Sequence, residues 1–199
     1  MNIIFIHGAN ATQKSFAYII IGIKKLKHNI PIKFHYFNYD NKRGFKNNFP
    51  EMSDKLSKLD GPCVIIAHSM GGIYATHLYK AFPEKLVTGI TLATPYLGLG
   101  SAFIARWLFP DWVLLQDVAP GTSPILGMQS VKFKIPWIQI VPQCGSTPLV
   151  SLLANDGVVS RLSMTSRKDV TYHNVDTNHY EVLLDKGVSN MINDYIEKL

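Results

Sequence analysis

The sequence has little of what marks a disulfide-stabilised or membrane-spanning protein. It contains two cysteines, Cys63 and Cys144, which lie at or beside apolar strand patterns and lack the spacing of metal ligands. Two thiols do not make a disulfide framework, so we expect both to fill the core as small side chains. No apolar run approaches the roughly 18 residues of a transmembrane helix, and no basic segment precedes an apolar one at the start. We therefore predict a cytoplasmic chain without a visible signal peptide.

Charge is also sparse, at 17% Asp, Glu, Lys and Arg, whereas 47% of the residues are hydrophobic. That balance supports a substantial core and disfavours disorder in a single domain, 1–199. The 20 basic and 14 acidic residues give a net charge of +6, but the basic residues are scattered. Because no basic stripe is interleaved with aromatic residues, we expect no nucleic-acid partner. The positive charge leaves transient contact with an anionic membrane surface open.

Strand and helix patterns alternate along the chain. Short apolar or alternating runs predict strands at Asn2–Ile6, Pro31–Tyr39, Cys63–Ala67, Lys85–Leu92, Ile135–Val141 and Val170–Val175. Helical spacing predicts helices at Ser15–Lys27, about Pro50–Leu59, after Ser69 through Ala81, and at Glu181–Lys198, with a polar loop at Asp40–Asn48. This order predicts an α/β fold of three layers, in which a mainly parallel sheet of about six strands carries helices on both faces.

The segment Val64–Gly72 is the strongest functional signal. An apolar run enters a turn of small residues with Ser69 at its tip, and a helical pattern follows. This is the form of a nucleophile elbow, in which a strand turns sharply into a helix and holds a serine hydroxyl above the sheet edge. The positions two before and two after the serine, Ala67 and Gly71, must be small because flanking backbone lies close to them. A serine that only caps the helix would leave the same pattern.

A serine nucleophile needs a base, and the base needs a carboxylate that orients it. His179 lies in a polar turn between the last predicted strand and the last helix. This turn would place a base above the carboxyl ends of the strands. Asp156, in an Asp-Gly turn 23 residues earlier, is the favoured carboxylate, and Asp176 is its rival because it lies close to His179. We expect the oxyanion hole to be formed by the backbone N–H groups of Met70 and Ala9, with His7 bracing the Ala9 loop.

An insertion at 95–134 breaks the alternation of strands and helices. It is rich in large apolar side chains, including Trp107 and Trp112. It either completes the core as a helical hairpin or forms a cap over an apolar acyl pocket at the carboxyl ends of the strands. The cap is the favoured prediction, and the two tryptophans are then candidates for substrate binding.

Together these motifs resemble the α/β-hydrolase superfamily, and within it the small lipases and esterases. The resemblance rests on His7-Gly8, on the elbow Ala67–Gly72, on Leu92–Gly98 with its Thr-Pro-x-x-Gly pattern, on Asp156–Val159 and on His179. Ala67 replaces the usual glycine. A first strand that starts at residue 2 implies a small six-stranded version of the fold.

The expected activity is hydrolysis of a carboxylic ester with an apolar acyl chain, from a small-molecule or lipid substrate, without a metal or cofactor. Ser69 is the expected nucleophile, His179 the base and Asp156 its orienting acid. Two alternatives remain: an acyltransferase with the same catalytic residues, and a non-catalytic binding protein on a hydrolase scaffold. The sequence gives no oligomeric state.

Overall fold

The computed structural model describes residues 1–26, 31–102, 111–145 and 155–199. Six parallel strands form one sheet in the order β2-β1-β3-β4-β5-β6. Their bounds are β1 Asn2–Ile6, β2 Lys33–Tyr36, β3 Cys63–His68, β4 Leu86–Leu92, β5 Trp137–Pro142 and β6 Thr171–Val175. The helices are α1 Ala17–Lys24, α2 Gly44–Ser57, α3 Gly71–Ala81, α4 Val113–Val118, α5 Ser123–Gln129, α6 Arg161–Met164 and α7 Lys186–Glu197, with 3₁₀ turns at Gln13–Phe16 and Glu181–Leu183.

The sheet lies between two apolar layers, as the three-layer prediction requires. One layer packs α2 and α3 against the sheet through side chains such as Met52, Tyr74 and Trp137. The other packs α1 and α7 through Ile19, Ile192 and their neighbours. Strands β1 and β3 are buried along their whole length, which explains their unbroken apolar runs. The predicted fold class is confirmed.

Strand order fixes where a ligand could bind. From β1 the chain crosses to β2 on one side and later returns to β3 on the other side of β1. Binding sites in open α/β sheets lie beyond the carboxyl ends of the strands at such a switch in direction. The loop after β1 and the turn after β3 therefore face the same crevice.

Two predicted helix boundaries are wrong. The loop predicted at Asp40–Asn48 contains the first turns of α2, which begins at Gly44 and carries Pro50 in its interior. Pro50 is exposed, so the carbonyl that its missing N–H leaves unpaired can reach water. The last helix begins only at Lys186, because Asp185 caps it by accepting a hydrogen bond from the Val188 N–H at 2.8 Å.

Other elements are shorter than predicted, and one cysteine is placed differently. Strand β2 is limited to Lys33–Tyr36, and α1 ends at Lys24, with residue 27 of the predicted helix outside the described residues. Cys63 is buried as expected, but Cys144 is exposed, because it follows the end of β5 in a loop. Among the described residues, no helix is long and apolar enough to span a membrane.

Candidate active site

The turn after β3 has the geometry predicted for it. Ser69 has a φ of 52°, a left-handed conformation that is rare for a residue with a side chain. The Ser69 N–H donates to the carbonyl of Leu92 at 2.8 Å, which joins the turn to the end of β4. A Cβ atom at Gly71 would collide with the carbonyl oxygens of Ile6 and His7. The turn therefore packs directly against the loop after β1, and only glycine fits at its exit.

Three polar side chains meet above this turn. His179 Nε2 lies 3.0 Å from Ser69 Oγ, and His179 Nδ1 lies 2.6 Å from Asp156 Oδ2. Because Asp156 accepts at Nδ1, the tautomer with a proton there leaves the Nε2 lone pair facing the serine hydroxyl. All three side chains are buried, and Asp156 completely so. The arrangement can transfer a proton from a serine hydroxyl to an oriented imidazole.

The main chain holds the histidine and the acid together. The His179 N–H donates to the Asp156 carbonyl at 2.9 Å. The other carboxylate oxygen of Asp156 accepts the N–H groups of Val158 and Val159, at 2.9 and 2.7 Å. The rival acid, Asp176, is exposed and makes no hydrogen bond to His179. Geometry thus pairs Asp156, and not Asp176, with the imidazole.

Two backbone N–H groups beside the serine remain unused. Ala9 and Met70 both line the cavity that contains Ser69. In the described part of the chain, neither N–H donates to another residue. Unpaired donors at the mouth of a buried cavity suit an anionic oxygen that develops there. The oxyanion role of these two residues stays a prediction.

His7 braces the loop that carries Ala9. Its Nδ1 donates to the Gly8 carbonyl at 2.8 Å, its Nε2 accepts the Tyr39 N–H at 3.4 Å, and its ring stacks on Tyr39. Burial lowers the pKa of His7, with the bond to Gly8 partly opposing the shift. A neutral imidazole matches the donor and acceptor that these partners require.

His68 is a site residue that sequence reasoning missed. Its Nε2 donates to the His179 carbonyl at 2.8 Å, so it holds the loop of the predicted base. Burial, with the neighbouring His179, lowers the pKa of His68 to about 3. Its Nδ1 is buried without a hydrogen-bond partner among the described residues, close to Gly8. No sequence pattern could have signalled this contact, since 111 residues separate the two histidines.

Thr94 supports the elbow from the opposite side. Its hydroxyl donates to the Ser69 carbonyl at 3.2 Å, and its own carbonyl accepts Gln139 Nε2 at 2.9 Å. A Cβ atom at Gly72 would overlap the Thr94 side chain. The backbone of the turn is thus held from β3, β4 and β5 together.

An apolar cavity of about 360 Å³ opens at Ser69, and we call it the central cavity. Its apolar walls come from five parts of the chain: the loop after β1, the segment after β4, α4, the turn that carries Asp156 and the segment after β6. They include Ala9, Ala11, Pro95, Leu99, Leu114, Leu115, Val118, Val158, Tyr180 and Leu183. The insertion at 95–134 therefore contributes to the wall, and it also adds Val118, Ile125 and Met128 to the core, so the cap stays a prediction. Asp117 fixes α4 to the first turn of α2, since its carboxylate accepts the Phe45 N–H at 2.7 Å.

Of the two candidate tryptophans, only Trp112 belongs to the described residues, and it does not line the central cavity. Trp107 lies outside the described residues. Trp112 is 61% exposed and lines a neighbouring cavity of about 500 Å³, which we call the side cavity. Asn10 and Leu114 line both cavities, so the two share a wall. Among the described residues, no cluster of three His, Cys, Asp or Glu side chains is placed to hold a metal ion.

Comparison with solved structures supports the fold, whereas comparison of sequences identifies no family. No family model and no curated protein sequence matches the chain. The mature lipase of Bacillus licheniformis is similar in structure, with a TM-score of 0.76 and 16% identity over 98% of this chain and 91% of that one. A lipase-esterase related protein from Clostridium acetobutylicum has a TM-score of 0.66 and 13% identity, over 98% of this chain and 93% of that one. An alpha/beta superfamily hydrolase from Oenococcus oeni has a TM-score of 0.68 and 10% identity, over 99% of this chain and 92% of that one.

Proposed function

We propose that this chain, which has the α/β-hydrolase fold, is a serine hydrolase that cleaves carboxylic esters with an apolar acyl chain. The observation that carries the proposal is the continuous contact from Asp156 through His179 to Ser69, at 2.6 and 3.0 Å. A serine hydroxyl becomes a strong nucleophile only when an oriented base can take its proton. A buried carboxylate bonded to the far nitrogen of that base supplies the orientation.

The reaction has two halves. Ser69 Oγ attacks the ester carbonyl while His179 Nε2 takes the hydroxyl proton, and the imidazolium is stabilised by Asp156. The negative charge on the former carbonyl oxygen is stabilised by the Ala9 and Met70 N–H groups. When the intermediate collapses, His179 protonates the leaving alkoxide and an acyl-Ser69 ester remains. His179 then deprotonates a water that attacks this ester, and the acid leaves as Ser69 regains its proton.

The walls of the central cavity support the choice of an apolar acyl group. Leu99 and the α4 side chains Leu114, Leu115 and Val118 come from the insertion at 95–134, which we propose acts as a cap over the acyl chain. Each methylene that leaves water for an apolar wall contributes about 0.8 kcal/mol, or roughly fourfold in kcat/KM at most. We therefore expect longer acyl chains to react faster than acetyl until the cavity is filled.

Hydrolysis of p-nitrophenyl esters from acetyl to palmitoyl tests the proposal. We expect Ser69→Ala to lower kcat by several powers of ten, as removal of a triad nucleophile does. Ser57→Ala is the matched control, because Ser57 is an exposed residue at the end of α2. Equal rates for wild type and Ser69→Ala on every ester would contradict ester hydrolysis. Equal rates on acetyl and long-chain esters would contradict the acyl pocket.

A further inference from the structure

Helix α2 begins without a cap from its own segment. Arg43 occupies the N-cap position, and its side chain forms no capping hydrogen bond. The first N–H groups of an α-helix have no carbonyl partner within the helix, so an N-cap side chain commonly accepts one of them. An arginine side chain carries only donors and cannot do this. The Phe45 N–H, in the first turn of α2, therefore needs an acceptor from another part of the chain.

Asp117 of α4 supplies that acceptor. Its Oδ2 lies 2.7 Å from the Phe45 nitrogen, which is 72 residues away along the chain. A carboxylate at this place also faces the positive end of the α2 dipole, and a charged acceptor makes a stronger hydrogen bond than a neutral one. A residue of the insertion at 95–134 thus acts as the cap of a helix that packs on the sheet.

The two helices approach each other closely at this bond. Gly44, the first residue of α2, has a φ of 71°, a conformation that favours glycine. A Cβ atom there would lie 3.3 Å from Asp117 Oδ2 and 2.5 Å from Val113 Cγ1, which is closer than two such carbon atoms approach in folded proteins. The ring of Phe45 packs on that of buried Tyr74, with centroids 4.8 Å apart. The surface that receives α4 is therefore fixed to the core.

Another face of α4 forms part of the central cavity. Leu114, Leu115 and Val118 line the cavity, together with Leu99 from the segment after β4. At the end of the helix, the Leu99 N–H donates to the Val118 carbonyl at 2.7 Å. One hydrogen bond thus ties α4 to α2 and another ties it to the segment after β4. The position of this apolar wall depends on both.

We propose that Asp117 is a positioning residue that sets the acyl-chain preference of the site. By capping α2 it holds α4 in place, so that Leu114, Leu115 and Val118 contact a bound acyl chain. Asp117 itself does not line the central cavity and therefore acts through these side chains. The assignment rests on the proposed function, in which the central cavity takes the acyl group.

The size of the effect follows from the apolar wall that α4 supplies. An octanoyl chain extends well beyond an acetyl group, so only the longer chain gains from additional apolar wall. Each methylene that leaves water for such a wall raises kcat/KM at most about fourfold. Release of α4 should remove the contacts of one or two methylenes. The ratio of kcat/KM for the octanoyl ester to that for the acetyl ester should then fall about four- to sixteenfold.

Hydrolysis of p-nitrophenyl octanoate and p-nitrophenyl acetate gives this ratio for each variant. Asp117→Leu keeps the branching of the side chain but leaves the Phe45 N–H without its acceptor, and we expect the four- to sixteenfold fall. Asp117→Asn keeps an acceptor oxygen and should restore the ratio to within about twofold of wild type. Partial unfolding lowers both rates alike and leaves the ratio unchanged, so the ratio separates positioning from stability.

Asp169→Leu is the matched control. Asp169 also accepts the N–H of a distant phenylalanine, Phe133, at 2.9 Å, but it does not line the central cavity. We expect this variant to be less stable than wild type and to keep the wild-type ratio. Gly44→Ala tests the same junction from α2 if Asp117→Leu does not fold. Its added Cβ atom displaces Val113 while the carboxylate stays, and the ratio should fall about twofold or more.

An unchanged or higher ratio in folded Asp117→Leu, or in Gly44→Ala, would overturn the assignment. An equal fall in Asp117→Asn or in Asp169→Leu would overturn it as well. If wild type hydrolysed neither ester, the proposed function would fail, and calorimetric binding of octanamide would test the wall alone. Weaker binding to Asp117→Leu than to wild type and Asp117→Asn supports the assignment. No binding to wild type, or equal binding to all three proteins, contradicts it.

Discussion

Acid should destabilise this fold through His68. The ring is buried and its pKa is lowered to about 3, mainly by burial and then by the nearby His179. In the unfolded chain a histidine has a pKa of about 6.5. Between these values the unfolded state binds a proton that the folded state excludes. The stability due to neutral His68 is therefore complete above about pH 6.5 and is lost as the pH falls towards 3.

The size of the effect follows from the two pKa values. At pH 5 the unfolded histidine has taken up its proton and the folded one has not. This pH lies about 1.5 units below the pKa of the unfolded histidine. At about 1.4 kcal/mol per unit, the free energy of unfolding should fall by about 2 kcal/mol between pH 7.5 and pH 5 through this residue alone. The lowered pKa values of His7, His35 and His77 act in the same direction.

Comparison with His68→Gln isolates the contribution of His68. Glutamine can still donate to the His179 carbonyl but does not titrate, and the other histidines contribute equally in both proteins. Urea unfolding at pH 7.5 and pH 5, followed by tryptophan fluorescence, gives the four free energies that are needed. We expect wild type to lose about 2 kcal/mol more than the variant. An equal loss in both proteins would refute the inference that His68 is held neutral by the fold.

Two further predictions concern the parts of the site that position the reacting groups. Asp156→Asn should lower kcat for p-nitrophenyl octanoate by about ten-thousandfold, because the imidazole loses its orienting charge and tautomer, whereas Asp176→Asn should leave kcat unchanged. A large loss from Asp176→Asn would reverse the assignment of the acid. Thr94→Val should lower kcat about two- to tenfold with KM unchanged, since the Ser69 carbonyl loses a donor, and Thr94→Ser should restore it. Failure of the serine variant to rescue would assign Thr94 to packing instead of hydrogen bonding.

The fold could be predicted because its signals are local. Buried parallel strands appear as unbroken apolar runs such as Cys63–His68, and an elbow needs small residues where backbone comes close, as at Gly71. Helix ends were less predictable where tertiary contacts set them. The Phe45 N–H at the start of α2 is satisfied by Asp117, 72 residues later, and no neighbouring residue signals that bond.

The candidate site likewise has residues that the sequence predicts and residues that it does not. Ser69, His179 and Asp156 lie on turns whose order and chemistry are visible in the sequence, and the structure brings them together. The contacts of His68 and Thr94 depend on how distant loops meet, so only the three-dimensional structure reveals them. The placement of Trp112 on the side cavity has the same origin, because an apolar segment does not indicate which cavity each side chain faces.

Covalent labelling of Ser69 tests the central claim most directly. A fluorophosphonate reacts readily only with a serine that a neighbouring base activates. We expect mass spectrometry of the native protein to find one phosphonyl group, on Ser69, and to find none in Ser69→Ala or His179→Gln. Native protein that reacts no faster than unfolded protein, or a label that persists on another serine in Ser69→Ala, would contradict a catalytic serine at this turn.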